Sequence, residues 1–237
     1  MRPDTVFGPT LIRNDGALAL YPKVGVPVRL SLHLPRRAGF SGPDHRGPVA
    51  LNVGRFVVRA PGGLQESLAA AQIIDTRESS HVFRDPGAAM VMLCLGPDGG
   101  TASNAWQRVT YCNKTVYRVA DEHGQLPEPL EDPGIMTKAG LSIEVLPIMS
   151  PLLVRPGDDF AVRIYLHGKA QSLGHVRALR PDGSVDEQIS NRIGLARFRI
   201  TEAGRWVIRF VGSHGGREAI GELVFDVEAE SPTRGAR

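Results

Sequence analysis

Three histidines in the C-terminal part of the chain have the side chain best suited to hold a transition-metal ion. His167 ends one predicted strand, His175 begins the next, and His214 lies in a predicted loop of the same region. Imidazole nitrogen is a common ligand of nickel, cobalt and zinc. If these side chains converge at one end of a β-sandwich they could form a metal site, so all three are candidate metal ligands.

The same histidines also fit an ordinary protein surface. In that interpretation His167 and His214 are solvated loop residues, and His175 lies on a half-exposed strand face. The chain has 7 histidines but no His-x-His, His-x3-His or Cys-x-x-Cys motif. His33 alternates with polar residues and is expected at the surface, while His45 and His81 are weaker loop candidates.

Motifs that would indicate an enzyme are missing. The sequence has no Gly-x-Ser-x-Gly motif, and its two cysteines lie inside predicted strands without an evident base nearby. Paired acids at 158–159 and 131–132 fit a turn and a linker better than a catalytic cleft. The glycine-rich turn at 96–100 lacks the lysine and helix of a phosphate-binding loop. We therefore predict a non-enzymatic protein with no catalytic residues.

Composition and charge limit the other function classes. The net charge is +3 and the sequence pI is about 9.1, and the basic residues are scattered, so no nucleic-acid surface is expected. No run of 18 apolar residues exists that could span a membrane. The first residues, 1–4, lead into polar sequence without an apolar signal core. We expect either a cytoplasmic protein or a mature periplasmic chain whose leader was removed.

The two cysteines leave their redox state open. Cys94 and Cys112 lie on neighbouring predicted strands. A disulfide and a pair of reduced, buried thiols both fit this placement.

A pattern that occurs twice indicates the architecture. In residues 25–34 and again in 157–166, a glycine is followed by apolar residues three, five, seven and nine positions later. A period of two is typical of a strand with one buried face. Each copy has a later partner strand, in 83–93 and in 200–210. We predict two similar antiparallel β-sandwiches in tandem.

The positions of the turn residues glycine and proline set the predicted boundaries of this all-β protein. The 27 glycines and 18 prolines lie between short alternating segments, as turn residues do. We predict an N-terminal sandwich at 1–120, a proline- and acid-rich linker at 121–139, an immunoglobulin-like or prealbumin-like sandwich at 140–228, and a disordered tail at 229–237. Trp206 shares a strand face with Ile208 and Phe210, each two residues apart, and is expected in the core.

One segment is predicted to be a loop, and a second fits either a helical turn or a strand. Residues 35–48 form a long Gly/Pro/Arg loop, and residues 64–71 could form one helical turn instead of a strand. Trp106 has the opposite phase from its apolar neighbours, so it is expected to be exposed or at a domain interface.

The order of motifs in the second half resembles the NikM-like family of bacterial proteins. The segment Gly-Leu-Ser-Ile-Glu-Val-Leu-Pro at 140–147 opens this half. It is followed by Ser-Pro-Leu at 150–152, Val-Arg-Pro-Gly-Asp at 154–158, and a strand that begins Gly-Arg-Trp at 204–209. The resemblance implies a periplasmic component of nickel or cobalt uptake that passes its ligand to a membrane transporter. Residues 6–9 stand where family members carry a histidine, so the resemblance supports the fold more than the metal. The alternative is a structural or interaction subunit of a larger assembly without metal.

Overall fold

The computed structural model describes residues 8–12, 19–33, 53–63, 65–67, 80–95, 109–128 and 132–229. The loop predicted at 35–48, Trp106 and all but the first residue of the predicted tail lie outside these ranges. The helices that the structure describes include none long and apolar enough to cross a membrane.

The described residues form fifteen strands and one 3-10 turn at Pro61–Gly63. The strands of the first half are β1 (Gly8–Ile12), β2 (Val28–His33), β3 (Val53–Arg59), β4 (Gln65–Ser67), β5 (Ser80–His81), β6 (Gly87–Leu95) and β7 (Val109–Val119). Those of the second half are β8 (Ile143–Pro147), β9 (Asp159–Leu166), β10 (Lys169–Ala170), β11 (His175–Leu179), β12 (Val185–Ile189), β13 (Leu195–Arg199), β14 (Gly204–His214) and β15 (Arg217–Val227).

Each half of the chain forms a β-sandwich with the same strand order. In the first half, β1-β2-β5 faces β4-β3-β6-β7, and in the second half β8-β9-β13 faces β12-β11-β14-β15. The short β10 adds a hairpin to β9. Three strands facing four is an immunoglobulin-like arrangement. The predicted all-β class and the tandem pair of sandwiches are confirmed.

Two glycines mark equivalent positions in the two sandwiches. Gly87 opens β6 with φ +135°, and Gly204 opens β14 with φ +124°. A Cβ atom at Gly87 would lie 3.1 Å from Pro61, and one at Gly204 would lie 2.8 Å from Pro181. Both the backbone conformation and the adjacent proline ring therefore favour glycine.

One parallel strand pair joins the two sandwiches. Residues 109–115 of β7 pair with residues 218–224 of β15, whereas the other described strand pairs are antiparallel. This pairing gives one eight-stranded sheet in the order β12-β11-β14-β15-β7-β6-β3-β4. The predicted boundaries and linker stay predictions, but the sheet is continuous across them. Within the predicted linker, Ile135 is buried in the second core.

Strand β7 is buried on both faces. Tyr111, Tyr117 and Val119 belong to the core of the first sandwich, whereas Cys112 and Val116 belong to the core of the second. Because alternate residues of a strand point to opposite faces, the two smaller sheets cover opposite faces of the large sheet.

A buried ion pair connects β7 to the second sandwich. The Lys114 ammonium contacts the carboxylate of Glu144 on β8, and their side chains are 1% and 2% exposed. Glu144 also accepts a hydrogen bond of 2.7 Å from the Ala139 N–H. Burial lowers the pKa of Lys114, and attraction to Glu144 opposes that shift.

A second polar cluster lies on the opposite face of the same region. The Tyr111 hydroxyl donates to Glu222 at 2.6 Å, and the Asn113 amide donates to the same carboxylate at 3.1 Å. Arg209 Nε donates to its other oxygen at 2.6 Å. Burial, followed by the Glu222 charge, raises the pKa of Tyr111 well above its usual value.

The structure resolves the open question about the cysteines. Cys94 on β6 and Cys112 on β7 are directly opposite one another and form a disulfide, with their Cα atoms 4.1 Å apart. The bond therefore links the two strands next to the parallel join.

The structure shows one tryptophan where it was expected, one strand where a helical turn was the alternative, and one strand that was not expected. Trp206 is fully buried, as expected. Gln65–Ser67 forms the edge strand β4 rather than a helical turn, because its backbone pairs with β3. β12 was not predicted, since three polar residues lie between Val185 and Ile189 and the strand is mostly exposed.

Removing one member of the buried ion pair should destabilise the protein strongly. We expect Lys114→Met to lower the free energy of unfolding by about 3–5 kcal/mol, because Glu144 would stay buried without its counter-ion. Adding Glu144→Leu should recover part of the loss. Urea unfolding measures both changes. Arg199→Gln, which removes an exposed pair with Asp159, is the control and should cost at most about 1 kcal/mol. A Lys114→Met loss no larger than this control would contradict the assignment.

The disulfide closes a sequence separation of 18 residues. A loop of this size predicts that the double change Cys94→Ala and Cys112→Ala lowers the free energy of unfolding by about 3 kcal/mol. Chemical denaturation with and without reductant tests this value. Reductant should destabilise the original protein and leave the double variant unchanged. Equal stability of the two proteins without reductant would show that the bond is absent in solution.

Candidate functional site

Two of the three candidate histidines meet at one end of the second sandwich. His167 directly follows β9, which lies in the smaller sheet, and His214 is the last residue of β14 in the large sheet. Their ring centroids are 4.4 Å apart, with an angle of 50° between the ring planes. Both residues are exposed. The two sheets thus each contribute one imidazole to the same place.

The hairpin between β9 and β10 fixes the position of His167. Its φ of +47° lies in the left-handed region, which is uncommon for a residue other than glycine. Its N–H donates to the carbonyl of Ser142 at 2.6 Å. Gly168 completes the two-residue turn that leads into β10. The imidazole is therefore presented by a tight, hydrogen-bonded turn.

The third candidate, His175, has a different partner. Its Nδ1 lies 2.7 Å from the Glu187 carboxylate on β12, and Arg177 Nε donates to the same carboxylate at 2.8 Å. Hydrogen bonds from His175 and then from Arg177 lower the pKa of Glu187. His175 is thus engaged in a cross-strand polar cluster.

The paired imidazoles have ring nitrogens that can coordinate a metal ion. Neutral imidazoles can each offer one ring nitrogen to a nickel, cobalt or zinc ion, with water or another protein completing the coordination. Within the ranges that the structure describes, no three His, Cys, Asp or Glu side chains form a group that could hold a metal. A metal at His167 and His214 stays a prediction.

His81 occupies an environment that the sequence analysis did not foresee. It lies in β5 rather than in a loop, and it is buried. Its ring packs edge-on against Phe83 with a centroid distance of 4.7 Å, and its Nδ1 lies 3.6 Å from Glu66. Burial lowers the pKa of His81, and the Glu66 charge opposes this shift. His45 and the side chain of His33 lie outside the described part of the chain.

A cleft that sequence reasoning missed lies beside the first sandwich. It has a volume of about 380 Å³ and is lined by Arg59, Arg118, Glu128, Asp132 and several prolines and glycines. The Pro-Gly-Gly segment at 61–63 and the prolines at 127 and 133 are visible in the sequence as rigid turns. Only the folded chain brings them to the end of β3.

No protein-family model matches the chain, and no curated protein matches it. Among solved structures, a 1.5-MDa bacterial ice-binding adhesin matches with 6% identity over 95% of this chain and 65% of that chain, at a TM-score of 0.31. A Ca²⁺-stabilized ice-binding adhesin of an Antarctic bacterium matches with 12% identity over 95% and 49%, at 0.28. Fibronectin(III)-like modules of Clostridium thermocellum match with 10% identity over 99% and 97%, at 0.26.

The chain spans 65% of the first adhesin structure and 49% of the second, less than two thirds of either. Superpositions this loose carry no functional argument, so the fold assignment rests on the strand order described above. The resemblance to the NikM-like family stays a prediction.

The buried His81 should make stability depend on pH. Its pKa is lowered in the folded protein, so between that value and about 6.5 the unfolded chain binds more protons. This contribution to stability is present above about pH 6.5 and is lost as the pH falls below it. Urea unfolding at pH 7.5 and 5.5 should show a smaller pH-dependent loss in His81→Gln than in the original protein. Identical losses in both proteins would contradict the proposed role of His81.

Proposed function

We propose that this protein is a non-enzymatic binding or accessory component of the bacterial cell envelope, resembling the NikM-like components of nickel and cobalt uptake. The observation that carries the proposal is the exposed imidazole pair of His167 and His214, supplied by opposite sheets at one sandwich end. The pair captures a nickel or cobalt ion as cargo. A membrane transporter is the partner that receives it.

The disulfide supports the compartment in this proposal. Disulfides form and persist in oxidising environments such as the periplasm and are rare in the cytosol. Cys112 is almost fully buried, and its sulfur is bonded to that of Cys94. The disulfide therefore supports a periplasmic location as part of this proposal. With both thiols in the disulfide, neither cysteine can act as a nucleophile.

The exposure of the pair suits transfer rather than storage. A two-imidazole site leaves coordination positions open to water or to a second protein. A transporter can therefore supply ligands before the ion leaves His167 and His214. This ligand exchange requires no catalytic step in the protein itself.

The edge of the large sheet favours a second candidate function. Among the described strands β12 pairs with β11 alone, and its Val185 and Ile189 are 55% and 59% exposed. Glu187, His175 and Arg177 add a charged cluster to the same surface. An exposed edge strand with apolar side chains can pair with another chain. As a structural subunit, the protein would join a larger assembly through β12 and would need no metal.

Calorimetric titration of the untagged protein with nickel and cobalt chloride at pH 7.5 tests the leading proposal. We expect about one ion per chain, since one imidazole pair can hold one ion. His167→Ala and His214→Ala should each weaken binding about tenfold or more, since even outer-shell changes at metal sites cost this much.

His175→Ala is the matched control, because it removes an exposed imidazole whose partner is Glu187. It should bind metal like the original protein. No heat of binding in the original protein would contradict the metal proposal. Equal losses in His175→Ala and His167→Ala would contradict the assignment to the pair.

A further inference from the structure

The cleft beside the first sandwich has walls that are largely preformed. One wall is the turn at Pro61–Gly63 with the start of β6. The other is formed by Pro127, Glu128, Asp132, Pro133 and Leu152. Pro61 is buried, and it lies close to Gly87. Proline rings and a glycine packed against one of them restrict backbone movement. A volume of about 380 Å³ is within the range of small-molecule sites.

Arg59 points a guanidinium group with spare donors at this cleft. The group has five N–H donors. Its one described ion pair, between Nη2 and the Asp132 carboxylate, is long at 3.5 Å, and its Nε, which is shielded from solvent, has no hydrogen-bond partner among the described residues. That Asp132 oxygen also accepts a hydrogen bond of 2.8 Å from Gly134. An incoming carboxylate would therefore bind the terminal Nη1 and Nη2 donors, of which only Nη2 has a described ion pair.

Packing holds the Arg59 side chain in place. A Cβ atom at Gly134 would lie 1.5 Å from both terminal nitrogens of Arg59, so the guanidinium rests directly on the glycine backbone. Its side chain is only 17% exposed. A cation that is already ordered and partly desolvated loses little entropy when it binds an anion.

The second arginine of the cleft has a structural role. Arg118 donates from Nε to the Pro127 carbonyl at 2.7 Å and forms an ion pair of 2.5 Å with Glu228. Its Nη2 also donates to the Pro127 carbonyl. These contacts fix the wall near 127, so of the two cleft arginines Arg59 is the one whose guanidinium has unused donors among the described residues.

Glu128 supplies the opposite charge. It lines the cleft and is exposed, and among the described residues it has no hydrogen bond or ion pair. The surface between the charged groups is mainly apolar, with Pro86, Ala88 and Leu152 in the lining. A ligand that carries one negative end, one positive end and an apolar middle matches this arrangement.

We propose that the cleft binds a small zwitterion, a free amino acid or short peptide, with its carboxylate on Arg59 and its ammonium group facing Glu128. The apolar side chain of the ligand lies against the proline-rich lining. This site is separate from the histidine pair, and its ligand differs in chemistry from a metal ion.

Calorimetry on the full chain with the dipeptide L-alanyl-L-leucine tests the proposal. Its C-terminal amide and its N-acetyl derivative should each bind about tenfold more weakly, because each loses one charged contact. Arg59→Gln should remove the preference for the acid over the amide. Glu128→Gln should remove the preference for the free amine over the acetyl form. Arg199→Gln, at an exposed ion pair on β13, should behave like the original protein.

Several outcomes would overturn the proposal. These are no binding of the dipeptide at millimolar concentration, equal binding of the acid and the amide, or an unchanged acid preference in Arg59→Gln. If Arg59→Gln does not fold, the comparison of the three ligands on the original protein still decides the question. Metal binding by the histidine pair is measured separately, so failure of either proposal leaves the other intact.

Discussion

The parallel pairing of β7 with β15 is the constraint on which the rest of the structure depends. It turns two four-stranded sheets into one, and it places β7 between two hydrophobic cores. A strand buried on both faces must satisfy every polar group that it carries. Lys114 does so with Glu144 on one face, and Asn113 and Tyr111 do so with Glu222 on the other.

This join also determines which surfaces stay open. The smaller sheets cover opposite faces of the large sheet. In each sandwich, one face of the large sheet is therefore not covered by that sandwich's own smaller sheet, and another segment can pack there. In the first sandwich, Ala139 of the connecting segment packs against Met90 and Met92, while Ile135 enters the second core. The cleft with Arg59 forms where that segment reaches the end of β3. The histidine pair lies instead at an end of the second sandwich.

Alternating apolar residues predicted much of the fold, because the period of two determines which side chains are buried. It identified β2, β9 and β14, and it placed Trp206 in the core. The same pattern cannot identify the strand that lies alongside, so the parallel join could not be predicted from it. β12 was missed because an exposed edge strand needs no alternating pattern.

The candidate sites were less predictable than the fold. His167 and His214 were recognised by residue type, but their proximity depends on how two sheets stack. His175 has the same chemistry and a strand position nearby in sequence, yet it contacts Glu187 across the sheet edge. Arg59 gave no signal of its own, since its position depends on its packing against Gly134 in the folded chain.

Native-state hydrogen exchange of the β7 and β15 amides tests the central claim of one shared sheet most directly. If the parallel pairing joins the two sandwiches, residues 109–115 and 218–224 should be among the slowest to exchange, with the same free energy of opening in both segments. Rapid exchange in 109–115 beside slow exchange in 218–224 would show that the first sandwich opens independently and would contradict the account.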